Sequence, residues 1–246
     1  LHDVRFESPF FPGAPPWNLE LTLTGSDDGA TFVARGPAGP LARGRVTLAA
    51  PAVPPAPPVT CPDPLTPARF YADLQARGLA YGPAFQGVRA LALGDDVVEA
   101  ELAAPDEISS DLAGSLAHPA VLDAALHFVA AALLASDGAT WLPVGLARLH
   151  VAAPLRGRLR ATARITRGPG SVHADIWLAG PGGAPIASIE ALEVRQAAGH
   201  DDRLYEVVWE PSPAPAPTLA TPAVYLIASP TDPTDAARTP ADPPRS

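Results

Sequence analysis

Residues 119–135 read Pro-Ala-Val-Leu-Asp-Ala-Ala-Leu-His-Phe-Val-Ala-Ala-Ala-Leu-Leu-Ala, a helical run broken by one acid, Asp123, and one imidazole, His127. A helix apolar nearly all round has to be buried, so the rest of the chain must supply a surface that wraps it. Pro119 suits the first helical position, and Gly138 lies just beyond the end. Four residues is about one helical turn, which puts Asp123 and His127 on one face. An ionised Asp is rarely buried without a partner. Apolar surroundings push a carboxyl pKa upward and let it hold a proton near neutral pH, as a general acid must. The same spacing also suits an Asp–His pair that only organises the core. The helix alone leaves both readings open.

The wrapping surface is legible as strands. Runs at 144–152, 157–167, 171–179 and 185–195 follow the helix, and runs at 87–93 and 96–103 precede it. Further strands are expected at 3–11, 17–24, 30–35 and 41–50. Leu19, Leu21 and Leu23 alternate with Glu20, Thr22 and Thr24, the period of a half-buried sheet. A short amphipathic helix is predicted at 67–77, with Thr66 as N-cap and Gly78 as its stop. One hydrophobic helix wrapped by a long antiparallel sheet is an α+β arrangement. Residues 51–67 hold eight prolines, a composition that favours extended polyproline and a semi-rigid spacer. We therefore divide the chain into strands over 1–50, a Pro-rich linker over 51–66 and the helix-centred unit over 67–196. Beyond 197 the chain turns polar and Pro-rich, with a strand at 204–209, a linker at 211–222 and the first strand of a following region at 223–228.

Composition narrows the function classes. A net charge of −9 argues against a nucleic-acid surface, which needs clustered cations. All 17 basic residues are Arg, which reads as the codon bias of a GC-rich genome. The run at 119–135 is too short for a membrane span and carries Asp123 and His127 inside it. The single Cys61 offers neither a disulfide framework nor a Cys-based metal site, and points to a cytoplasmic location. No His-x-His or HExxH spacing occurs, so no metal is expected. His118 reads as a helix-start residue, and His150, His173 and His200 as surface positions. The chain has no Met and opens on a strand already under way, which reads as an interior piece of a longer protein.

Two more segments flank the helix in order. Tyr81-Gly82-Pro83-Ala84-Phe85-Gln86-Gly87 is a tight aromatic-bracketed turn, and Leu142-Pro143-Val144-Gly145 lies on the entry to the next strand. Together with His118–His127 they resemble the dehydratase domain of modular polyketide synthases. Tyr81–Gly87 is similar to that family's YGPxFQG motif. Asp123 and His127 occupy its DxxxQ/H positions, and Leu142–Gly145 resembles its LPV/F motif.

The resemblance implies a double hot-dog fold, a long antiparallel sheet wrapped around a central hydrophobic helix, with the first hot-dog incomplete here. It implies dehydration of a β-hydroxyacyl thioester to an α,β-unsaturated thioester, with Asp123 as general acid and His127 orienting its carboxyl. Tyr81, Phe85, Gln86, Leu142 and Pro143 are the implied substrate-binding residues. The family's catalytic His belongs to an HxxxGxxxxP motif that none of His2, His118, His127, His150, His173 and His200 matches. It is expected upstream, which leaves this fragment inactive alone. No cofactor is implied beyond the phosphopantetheine that carries the substrate on an acyl carrier protein. Neighbouring ketoreductase and acyltransferase domains and a homodimer are the other implied partners. The same residues also fit a silent scaffold domain, or a relative that isomerises double bonds or closes oxygen heterocycles.

Overall fold

The computed structural model describes residues 1–10, 18–26, 29–48, 52–134, 139–197 and 224–226. Period-2 patterning becomes twelve described strands in one antiparallel sheet. Along the chain these are β1 (His2–Phe6), β2 (Glu20–Ser26), β3 (Gly29–Gly36), β4 (Gly39–Val46) and β5 (Asp63–Leu65). They continue as β6 (Val88–Leu93), β7 (Val97–Ala103), β8 (Trp141–Val151), β9 (Arg158–Gly168), β10 (Ser171–Ala179), β11 (Pro185–Gln196) and β12 (Val224–Leu226). Their spatial order is β12-β2-β3-β4-β1-β8-β11-β10-β9-β7-β6-β5. The expected run at 223–228 falls on β12, beside β2. The strand expected at 204–209 and His200 lie outside the described residues.

β1 joins the two halves of this sheet. It pairs with β4 on one side and with β8 on the other, with Val4 opposite Leu146 and Arg5 opposite Gly145. The described strands of residues 1–50 thus continue the sheet of 87–195. Gly145 permits the approach, because a Cβ there would stand 2.6 Å from the Val4 carbonyl oxygen. The predicted linker is not wholly a linker. Asp63–Leu65 pairs with β6 as an edge strand, tolerated despite Pro64 because an edge leaves one side of the ladder unused.

An ion pair fastens the same seam. The Glu193 carboxylate accepts from Arg5 Nη1 at 2.8 Å and from the Arg195 guanidinium at 2.7 Å. Arg195 and then Arg5 hold this carboxyl below its ordinary pKa, against the opposing effect of burial. A depressed folded-state pKa contributes stability above the unfolded value, about 4.3 for Glu, and loses it as pH falls through the folded value. Wild type is therefore expected to exceed Glu193→Gln in urea midpoint at pH 6, with the gap closing at more acid pH. A gap that does not change with pH would count against this role.

The helices carry the caps that the sequence predicts. α1 (Pro67–Ala76) starts with Thr66 Oγ1 accepting from the Arg69 N–H, and ends before Gly78 at φ +84°. α2 (Pro119–His127) starts with His118 Nδ1 accepting from the Ala120 N–H at 3.2 Å. The helix expected to reach 135 is α-helical only to His127 and then tightens into a 3-10 segment over Phe128–Leu133. Ala120, Val121, Ala124 and Ala125 face the core from α2, and Phe128, Val129, Ala131 and Leu133 continue it. The small residues let α2 lie close to the chain entering β6, where a Cβ on Gly87 would stand 2.9 Å from that of Ala124. Among the described residues no helix is long and apolar enough to cross a membrane.

Candidate active site

Asp123 and His127 lie on one face of α2, with His127 Nδ1 3.0 Å from Asp123 Oδ2. The imidazole is the buried partner, its side chain 5% exposed, whereas the Asp123 side chain is 36% exposed. The burial expected of Asp123 is therefore not found. Val121, Ala124 and Ala125 take the core-facing positions of this turn, which leaves the carboxyl at the rim.

Aromatic rings enclose His127. Tyr81 lies 4.3 Å from it between centroids, Tyr71 5.7 Å and Phe70 6.0 Å, the last stacked. Tyr71 Oη stands 3.2 Å from His127 Nε2 and also accepts from the Val88 N–H at 3.0 Å. Burial is the main cause that pushes the Tyr71 hydroxyl up to about 12, and it raises Tyr81 further, with the charge of Asp123 adding to both. Both phenols keep their protons at neutral pH.

The remaining predicted residues divide. Tyr81, Leu142 and Pro143 line one pocket with Asp123 and His127. Phe85 and Gln86 do not reach it. Phe85 is 42% exposed on a 3-10 turn over Pro83–Phe85, and Gln86 Nε2 donates to the Tyr81 carbonyl at 2.8 Å, closing that turn. His118 is the helix-start residue expected. His150 and His173 are half-buried in β8 and β10 rather than on the surface.

Asp123 faces a narrow pocket of about 50 Å³. Leu79, Leu126, Trp141, Leu192 and Val194 are among the other residues of its wall, and none of the five is among the substrate-binding residues that the resemblance implies. The last two arrive there through a β-bulge. Ala187 and Ile189 of β11 are buried, then Ala191 takes φ +47° with its N–H on Asp175 Oδ1, and Leu192 and Val194 become the buried positions. The extra residue switches the inward parity of the strand. Alternation alone hides this, although the break in it at 190–192 was the available signal.

A larger groove of about 730 Å³ runs beside Glu99, Glu101, Arg158 and Arg160 and shares no residue with this pocket. It carries no acid–imidazole pair, so chemistry favours the smaller site. Among the described residues no three His, Cys, Asp or Glu side chains stand close enough to hold a metal ion.

Known proteins resemble the chain in the same region. Residues 49–203 match the family model described as the polyketide synthase dehydratase N-terminal domain. The spectinabilin polyketide synthase system protein NorA' of Streptomyces orinoci is 34% identical over 209 residues, 78% of this chain and 6% of that protein. The mycoketide-CoA synthase of Mycobacterium tuberculosis is 35% identical over 162 residues, 59% of this chain and 4% of that protein. The chain thus spans a small fraction of the length of these relatives. Among solved structures, the dehydratase domain of PpsC from Mycobacterium tuberculosis, in complex with C12:1-CoA, superposes with a TM-score of 0.70 at 25% identity. That match covers 80% of this chain and 74% of the PpsC domain. On its fold and on the family model that spans most of its length, this chain belongs to the polyketide synthase dehydratase family and has its hot-dog fold.

Proposed function

We propose that this chain supplies the acid half of a site that dehydrates a β-hydroxyacyl thioester borne on the phosphopantetheine of an acyl carrier protein. The observation that carries the reading is the half-exposed Asp123, tethered at 3.0 Å to a buried His127 and facing a narrow apolar pocket. A base removes the α-proton, and that C–H electron pair becomes the double bond. The C–O bond to the β-hydroxyl breaks with its electrons on oxygen, which takes the proton of Asp123 and leaves as water. Tyr81, Leu142 and Pro143 enclose the reacting end.

His127 does not serve as the base, because one ring nitrogen faces Asp123 and the other Tyr71. Among the described residues no other His lines the pocket. The base is assigned to the His of the HxxxGxxxxP motif, carried by the synthase outside this chain. Ketoreductase and acyltransferase domains of the same polypeptide and a second copy in a homodimer are the partners that fit this role. The test is to offer the full-length synthase a β-hydroxyacyl carrier protein and follow it by mass spectrometry. Loss of one water from the acyl group is expected, and an unchanged mass overturns the proposal.

A further inference from the structure

We propose that Tyr71 is a positioning residue for the acid: it holds His127 as the neutral tautomer protonated on Nδ1, which leaves the Asp123 proton aimed at the substrate. This rests on the reading of Asp123 as general acid. The hydrogen-bond chain runs from Val88 through Tyr71 and His127 to Asp123, and its polarity is set at the far end by a group that cannot reverse. The Val88 backbone N–H only donates, and it donates to Tyr71 Oη at 3.0 Å. The oxygen keeps a second lone pair, but accepting from an Nε2–H as well would leave the part-buried phenol hydrogen without a partner, so the O–H is assigned to the 3.2 Å contact with His127 Nε2. Among the described residues Tyr71 Oη has no third partner.

A donated O–H needs an acceptor, so Nε2 carries no hydrogen. A neutral imidazole bare on one nitrogen is protonated on the other. Nδ1 therefore donates to Asp123 Oδ2 across 3.0 Å. Oδ2 is engaged as an acceptor, and the acidic hydrogen belongs on Oδ1, the oxygen free to meet a bound hydroxyl. In the opposite tautomer a bare Nδ1 would face Oδ2 and draw that hydrogen to itself. The acid would then be tied to its own neighbour. Phe70 and Tyr81 pack against the ring, and its 5% exposure leaves little room for water to supply other partners.

Tyr71 precedes the YGPxFQG-like turn by ten residues and lies on the helix predicted at 67–77, outside the three motifs that carry the resemblance. Its test separates positioning from packing. In the ¹⁵N-labelled chain, the His127 ring nitrogens are assigned by their absence in His127→Gln. Nδ1 is expected protonated and Nε2 bare at neutral pH, and Tyr71→Phe is expected to shift the ring toward the Nε2-protonated form. In the full-length synthase, Tyr71→Phe is expected to lower kcat about ten- to a hundredfold, part of the general-acid contribution, with little change in KM.

A wild-type His127 protonated on Nε2 overturns the proposal, whether or not the Phe variant folds. So does a Phe variant that loses activity with its tautomer unchanged, since that is a packing effect. A synthase that dehydrates with His127 in the other tautomer removes the role of Tyr71 alone. A synthase that performs no dehydration removes the acid reading first, and this one with it.

Discussion

Asp123→Asn in the full-length synthase is expected to slow dehydration of a carrier-bound β-hydroxyacyl substrate by about 10²–10⁴-fold, the usual range for one acid–base group. The amide has nearly the shape of the carboxyl, and its oxygen can still accept from His127 Nδ1 in place of Asp123 Oδ2. What it lacks is an acidic proton to hand to a departing hydroxyl. Stability should change little, because the side chain is already 36% exposed and neither form is fully desolvated. The assay is product detection by mass spectrometry on the carrier protein, with a melting curve for each variant. Near-wild-type turnover would place the acid elsewhere. A large fall in melting temperature would mean that the Asp123–His127 pair organises the core, the plainer reading of the helix.

The second large effect concerns stability. Phe128 is fully buried at the point where α2 gives way to the 3-10 segment, and that segment packs against β6, β7 and β9. Phe128→Ala is expected to cost about 3–5 kcal/mol, through lost transfer energy and the cavity left behind. Domain stabilities are about 5–15 kcal/mol, so this one change removes a large share. Urea titration of the two proteins measures it. Phe85→Ala is the matched control: the residue is 42% exposed, and truncation there is expected to stay within about 0.5 kcal/mol. Equal losses at the two positions would mean that the helix is not the centre of the core.

The two variants separate chemistry from packing five residues apart in sequence. Asp123 sits on the outer side of its turn, facing the pocket. Phe128 sits beneath and holds the helix in place. A folded but inactive Asn variant beside a destabilised Ala variant is the pattern that a rim acid on a buried helix requires.

The features legible from the sequence are those that the backbone repeat decides over a few residues. The Asp123–His127 pair follows from helical spacing alone, since residues four apart share a face in any α-helix. Thr66–Pro67 and His118–Pro119 start helices through contacts two or three residues long. Strand runs showed in alternation, and the four long strands after α2 fall close to their expected places. Leu142 and Pro143 reached the pocket because they enter β8.

Only the tertiary structure decided the rest. Tyr71 meets His127 across 56 residues and Val88 across 17, contacts that depend on how α1 packs over the entry to β6. Leu192 and Val194 face the pocket because a bulge at Ala191, held by Asp175 on the neighbouring strand, reverses the parity of β11. The exposure of Asp123 was misjudged from its apolar neighbours, because composition reports what surrounds a residue along the helix and not which side meets the pocket mouth. The joining of the two half-sheets through β1 likewise depends on register between strands about 140 residues apart. Local spacing determined which residues could stand as a pair; packing between distant elements determined what that pair faces, because Tyr71, Leu192 and Val194 reach it only when the chain is folded.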